Sequence, residues 1–230
     1  MGTLDWRFQL LGLIEGSATH RVCSSAELVG LVRTVRPSAS SATARKAIEG
    51  LVAARALTKV GKGVFINRLS WLPTELGEVA QVVRRSAVVS LQSVLGECGL
   101  LNNIPAIVTA VVPLSARRTL NVEEVRTSGG QVFRFHALPE RFFPTSPTEE
   151  RRLLQPTRFF PIARAEVALC HWLYLACSHR RKMFRLPLDA DLTMLDLNLL
   201  QALARDWQLE HAIMDWISEV ELCWRSTREH

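Results

Sequence analysis

A chain of 230 residues with 48% hydrophobic and 22% charged side chains has an ordinary globular composition and length enough for one or two buried cores. Its net charge of +6 is local, because residues 1–68 hold ten Lys or Arg against four Asp or Glu, so the rest of the chain sums to zero. Apolar runs such as Ile104–Leu114 fall far short of the roughly 20 residues of a membrane helix, and Asp5, Trp6 and Arg7 interrupt any signal-peptide pattern, so a cytoplasmic protein without a membrane partner is expected.

The first expected helix is Leu4–Gly16, with Leu4, Phe8, Leu11 and Ile14 forming a stripe and Trp6 and Phe8 placed in the core. Ser24 or Ser25 caps a second, Ala26–Arg33, which closes before Pro37 and brings Arg33 and Arg36 to one side. A third helix, Thr43–Arg55, spaces Ala44, Ala47, Ile48 and Leu51 on one face and turns Arg45, Lys46 and Glu49 away from it. Two short strands follow, Leu57–Val60 and Val64–Asn67, with Gly61-Lys62-Gly63 as a turn whose glycines permit positive φ and whose tip is Lys62. Three helices and a basic hairpin within residues 1–68 are the layout of a winged helix-turn-helix. From Arg33 to Arg68 eight basic residues face one acid, Glu49, a charge cluster suited to duplex DNA with about one phosphate charge per 1.7 Å of axis.

The segment SSATARKAIEGLVAARALTKVGKGVFIN resembles the winged helix-turn-helix of bacterial transcription regulators. That resemblance implies that Ser40, Ser41 and Thr43 meet phosphates or base edges at the start of the recognition helix. It places Arg45 in the major groove beside Lys46, and brings Lys59, Lys62 and Gly63 to the backbone or minor groove, with Arg36 on the same basic side.

Residues 69–230 are expected to form a C-terminal mixed α/β domain, which makes the fold class α+β. Trp71-Leu72-Pro73 marks its boundary and Thr74 caps a helix through Val83. A helix after Ser86 stops at Gly99, an Asn-Asn-Ile-Pro turn leads to a buried strand Ala106–Val112, and Leu120–Arg126 and Gln131–Ala137 form a hairpin around Thr127-Ser128-Gly129-Gly130. In the second of these strands Phe133 and Phe135 alternate with Arg134 and His136. Arg141–Pro161, with four prolines, is expected to stay irregular, and Arg151, Arg152, Arg158, Arg117-Arg118 and Arg180-Arg181-Lys182 make this half locally basic. Helices near Leu195–Ala204 and Leu209–Cys223 lie in a tail, Leu186–His230, with nine acids and three basic residues.

The order of a winged helix, then V-S-L-x-S-V-L-x-x-x-G-L-x-x-x-I-P over Val89–Pro105, a strand and hairpin, and A-E-x-A-L-x-x-W-L-Y over Ala165–Tyr174 resembles the antitoxins of AbiE-type toxin–antitoxin systems, also described as regulators of viral defence. The resemblance implies an autorepressor that binds inverted repeats in its operator DNA, as a homodimer or cooperatively, and a C-terminal domain that opposes a nucleotidyltransferase-like toxin without a stable complex. No catalysis and no cofactor are implied.

Two other classes stay open. The winged helix alone also resembles GntR-type regulators, whose second domain binds a metabolite. A nuclease would need clustered carboxylates for Mg²⁺, and the candidates are Glu123-Glu124 and Glu149-Glu150, with Arg126 or Lys182 as partners; adjacent acids on a strand face opposite ways. Five scattered cysteines without C-x-x-C argue against a disulfide framework, and Cys170, His171, Cys177 and His179 are spaced poorly for one zinc ion, since Cys170 and Cys177 stand two helical turns apart.

Overall fold

The computed structural model describes residues 5–16, 21–102, 106–116, 123–127, 130–156, 159–177, 186–188 and 190–228. Among these the chain is α+β, with nine α-helices and two sheets. It divides into two compact units, Met1–Arg85 with Arg126–Gln131, and Ser86–Val125 with Val132–His230. The Ile104-Pro105 motif positions, the Ser128-Gly129 turn residues, Leu4, Arg117-Arg118, Arg158, His179 and Arg180-Arg181-Lys182 lie outside the described residues.

In the first unit, α1 (Trp6–Glu15) starts at Asp5, whose carboxylate accepts the Arg7 N–H at 3.2 Å. β1 (Val22–Ser24) leads directly into α2 (Ser25–Val35) through a capping box: Ser24 Oγ accepts the Glu27 N–H and the Glu27 carboxylate accepts the Ser24 N–H. α3 (Ser41–Ala53) is followed by β2 (Leu57–Gly61) and β3 (Val64–Asn67), paired antiparallel with a register shift between Lys59 and Gly61. Leu10, Ile14, Leu28, Val32, Ala44, Ile48, Leu51, Leu57 and Phe65 close one apolar core between the three helices and the sheet.

Several expectations change here. The sheet has three strands in the order β1-β3-β2; Val22–Ser24 is too short to alternate visibly and becomes a strand only because β3 lies beside it. Phe8 is 65% exposed, since α1 buries Leu10 and Ile14 and packs Trp6 partly against the core, turning Phe8 outward. Of the two turn glycines only Gly63 has positive φ (73°), while Gly61 ends β2. The unit also runs past residue 68, because α4 (Leu76–Val83), capped by Glu75 rather than Thr74, packs on β1 and β3. Its Glu78 carboxylate is buried in an ion pair with the Arg21 guanidinium, and Arg21 also donates to the Pro73 carbonyl at 2.6 Å. A charge pair removed from water on both sides is costly to break, which ties residues 73–78 to the sheet.

The second unit is built on a four-stranded sheet ordered β4-β5-β7-β6. β4 (Val88–Val89) pairs antiparallel with β5 (Ile107–Pro113), which runs parallel to β7 (Val132–Leu138); β6 is Glu123–Arg126. The stretch after Ser86 is therefore a strand before it is a helix. α5 occupies only Gln92–Glu97, and Gly99 ends it with φ 75°. In β7 Phe133 and Phe135 are fully buried as the alternation requires, but His136 is buried too, because the strand loses its alternation and is buried on both faces from Phe135 to Leu138, while Arg134 stays half-exposed. The proline-rich stretch contains α6 (Pro147–Leu153), because Pro147 sits at the first helical turn, where no N–H is needed, behind the Ser146 cap. α7 (Ala165–Cys177) is buried almost all round, and α8 (Leu197–Trp207) and α9 (Glu210–Arg228) pack against it.

Candidate nucleic-acid interface

The α2–α3 connection determines where the basic side chains stand. Ser40 caps α3: its Oγ accepts the Thr43 N–H at 3.1 Å and lies 3.0 Å from the Thr43 hydroxyl, so both groups are engaged in starting the helix. Ser41 follows on the exposed side, and Arg33 from the last turn of α2 reaches its hydroxyl at 3.4 Å. With Ala44, Ile48 and Leu51 fixed in the core, helical geometry leaves Arg45, Lys46 and Glu49 exposed.

The β2–β3 turn carries Lys62, exposed, with Lys59 exposed further back on β2. Gly63 has a structural duty sequence reasoning did not see. Its carbonyl accepts the Ser25 N–H at 2.8 Å, and a Cβ built on it would come within 3.1 Å of Ser25 Oγ, so the turn is pinned to the start of α2. Arg36, at the C-terminal cap of α2, stacks its guanidinium over the Trp6 ring at 5.4 Å, with Arg7 over the same ring at 5.6 Å. The structure thus holds Arg33, Ser40, Ser41, Thr43, Arg45 and Lys46 along α3 and its entry, Lys59, Lys62 and Gly63 on the hairpin, and Arg36 at the end of α2 against Trp6. Arg68, also exposed, donates to the Thr58 hydroxyl at 2.9 Å. Arg33 is the residue to add, and its sequence signal was its place one turn before the α2–α3 loop. Cys23, in the core of this unit, has its thiol pushed up to about 12 by burial, aided by the Glu27 charge, and stays protonated.

The groups considered for catalysis sit differently. Glu123 and Glu124 are neighbours on β6, and Glu124 pairs with Arg134 of β7 at 3.2 Å. Glu149 opens α6 and accepts the Thr145 hydroxyl and N–H at 2.7 and 2.8 Å, bonds that hold its carboxyl below the usual range. Among the described residues no group of three His, Cys, Asp or Glu side chains is placed to hold a metal ion.

Ser90 Oγ lies 2.9 Å from His171 Nδ1, a nucleophile-and-base distance, but Ser90 is wholly buried and His171 nearly so. Phe142, Phe143 and Trp207 enclose the imidazole, with Trp207 stacked at 5.7 Å. Burial drives its pKa down to about 3, a hydrogen bond to the Phe142 backbone opposing only in part, so the ring is neutral. Cys170 beside it is pushed up by burial and by Glu166. These groups cement the second unit's core.

No family model matches the chain, and no curated protein matches it. Among solved structures, the crystal structure of the RV2827C protein from Mycobacterium tuberculosis is similar at 12% identity and a TM-score of 0.53, over 92% of this chain and 76% of that one. At that identity the likeness is one of fold, and it runs through both units. No helix among the described residues is long and apolar enough to cross a membrane.

Proposed function

We propose that the first unit is a winged helix-turn-helix that binds duplex DNA, with α3 in the major groove and the β2–β3 turn on the adjacent backbone. The observation that carries this reading is the pairing of an α-β-α-α-β-β element order with an exposed basic set, Arg33, Arg45, Lys46, Lys59 and Lys62, on α3, its entry and the hairpin. The serine-capped start of α3 adds N–H groups and a helix dipole favourable to phosphate. Together with the sequence resemblance over Val89–Pro105 and Ala165–Tyr174, this supports a DNA-binding antitoxin and autorepressor of the AbiE kind. Such a protein represses its own promoter at inverted repeats in the cytoplasm and opposes a nucleotidyltransferase-like toxin through its second unit.

A reporter fused to the chain's own upstream promoter tests the repressor half. Expression of the parent protein should lower reporter output, and the variant carrying Arg45→Ala, Lys46→Ala and Lys62→Ala should not. Equal output with both proteins would overturn it. Co-expression with the adjacent gene product tests the antitoxin half, since growth should fail when that product is made alone and recover when this chain is added.

A further inference from the structure

The second unit contains an open cleft of about 530 Å³, walled by Glu150, Arg151, Gln155, Phe159, Phe160 and Arg164. The backbone around it is fixed on two sides. Leu154 and Ala163 form an antiparallel bridge, with the Gln155 N–H on the Ile162 carbonyl at 2.9 Å and the Arg164 N–H on the Leu153 carbonyl at 3.0 Å. On the other side β4 takes up the same segment: the Val89 N–H donates to the Pro161 carbonyl at 3.0 Å and the Ala163 N–H to the Val89 carbonyl at 2.9 Å. The Gln155 side-chain amide donates to the Ala163 carbonyl at 3.1 Å, so even the cleft's polar floor is held in place.

Around this hydrogen-bonded backbone the side chains divide by chemistry. The Phe160 ring is buried in the wall, whereas Phe159 is 60% exposed and offers its ring at the rim. The Arg151 guanidinium has no ion-pair partner among the described residues. That of Arg164 meets, among the described residues, only a 3.9 Å contact with Glu166, whose other oxygen already accepts the Asp196 N–H at 2.8 Å. Two guanidinium groups with spare donors, an exposed aromatic face and one carboxylate, Glu150, converge on a volume in the range of small-molecule sites.

We propose that this cleft binds a nucleoside phosphate. The arginines pair with the phosphate, where planar guanidinium forks are strongest. Phe159 takes the base by stacking, and the Glu150 carboxylate accepts N–H groups from the base edge. An inorganic anion would leave Phe159 and Glu150 unused, and a neutral ring would leave both arginines unpaired. The proposal stands independently of the DNA reading, since every residue in it belongs to the second unit.

Calorimetric titration of the full chain with GMP, AMP, inorganic phosphate and a short oligothymidylate tests it. One of the mononucleotides should bind saturably below about 1 mM, at least about tenfold more tightly than inorganic phosphate. Arg151→Ala with Arg164→Ala should weaken that binding about tenfold or more, and Phe159→Ala about fivefold, with melting temperatures near the parent's. Three results would overturn the proposal: no saturation by about 5 mM nucleotide, phosphate binding as tightly as nucleotide and indifferent to Phe159→Ala, or the oligonucleotide binding far more tightly than either monomer and losing that affinity with Arg151→Ala and Arg164→Ala, which would make the cleft an oligonucleotide site.

Discussion

The first unit keeps its positive charge outside, whereas the second buries several of its titratable groups. In the first, β2 and β3 meet across a two-residue turn, and of the ten basic residues in the first 68 only Arg21 is buried. In the second, β5 and β7 pair in parallel with partners such as Ile107 and Val132, β4 bridges to Ile162, and His171, Cys170 and Glu166 all lie inside. A surface that meets a polyanion needs its charges solvated and movable, while a core that joins distant strands gains from neutral, fixed polar contacts. The difference teaches where substitution should act on binding and where on stability.

The largest effect is expected where the first unit departs from its own rule. Glu78→Ala strands the buried Arg21 charge and should cost about 3–5 kcal/mol in urea unfolding followed by tryptophan fluorescence, although Glu78 is far from the basic surface in sequence. A loss below about 1 kcal/mol would mean the pair is solvated, and the tie between α4 and the sheet would have to be given up.

Next, Arg45→Ala should weaken specific operator binding by about 1–3 kcal/mol while leaving the unfolding midpoint close to the parent's, since the side chain is exposed. An equal loss on specific and scrambled DNA would move Arg45 from base reading to phosphate contact.

The second unit supplies the pH test. His171 is held neutral in the fold with a pKa near 3 against 6.5 in the unfolded chain, so below pH 6.5 the unfolded state takes up the extra proton. The stability it contributes is complete above pH 6.5 and drains as pH falls toward 3. Between pH 7 and pH 5 the parent should therefore lose about 2 kcal/mol through this residue. His171→Phe should flatten that slope, and an unchanged slope would assign the acid sensitivity elsewhere.

The smallest effect belongs to the turn. Lys62→Ala should weaken all DNA alike and lower the salt slope of binding by about one unit. A loss confined to the operator would place Lys62 at a base.

The same contrast explains what the sequence disclosed. The α3 stripe, Ser24 as a cap, and the two hairpin strands could be read because each depends on residues within one or two turns of itself. β1 could not, since three residues carry no period and owe their state to β3. The outward turn of Phe8 was hidden too, because its stripe and the one through Leu10 and Ile14 are equally apolar on paper. In the second unit the strand at Val88-Val89 was masked by an apolar run that suits a helix equally well. Arg151 and Phe159 stood in sequence within a proline-rich stretch, with Arg164 just beyond it, and only the Val89–Ile162 and Leu154–Ala163 bridges bring them to one cleft.

The most direct measurement is a titration of the full chain against its own upstream promoter duplex and a scrambled duplex of equal length, each at two salt concentrations. The account predicts tighter binding to the promoter, with both affinities falling as salt rises and the preference retained. Equal affinity for the two duplexes, or binding indifferent to salt, would contradict it, because α3 and the hairpin would then not be a sequence-reading surface.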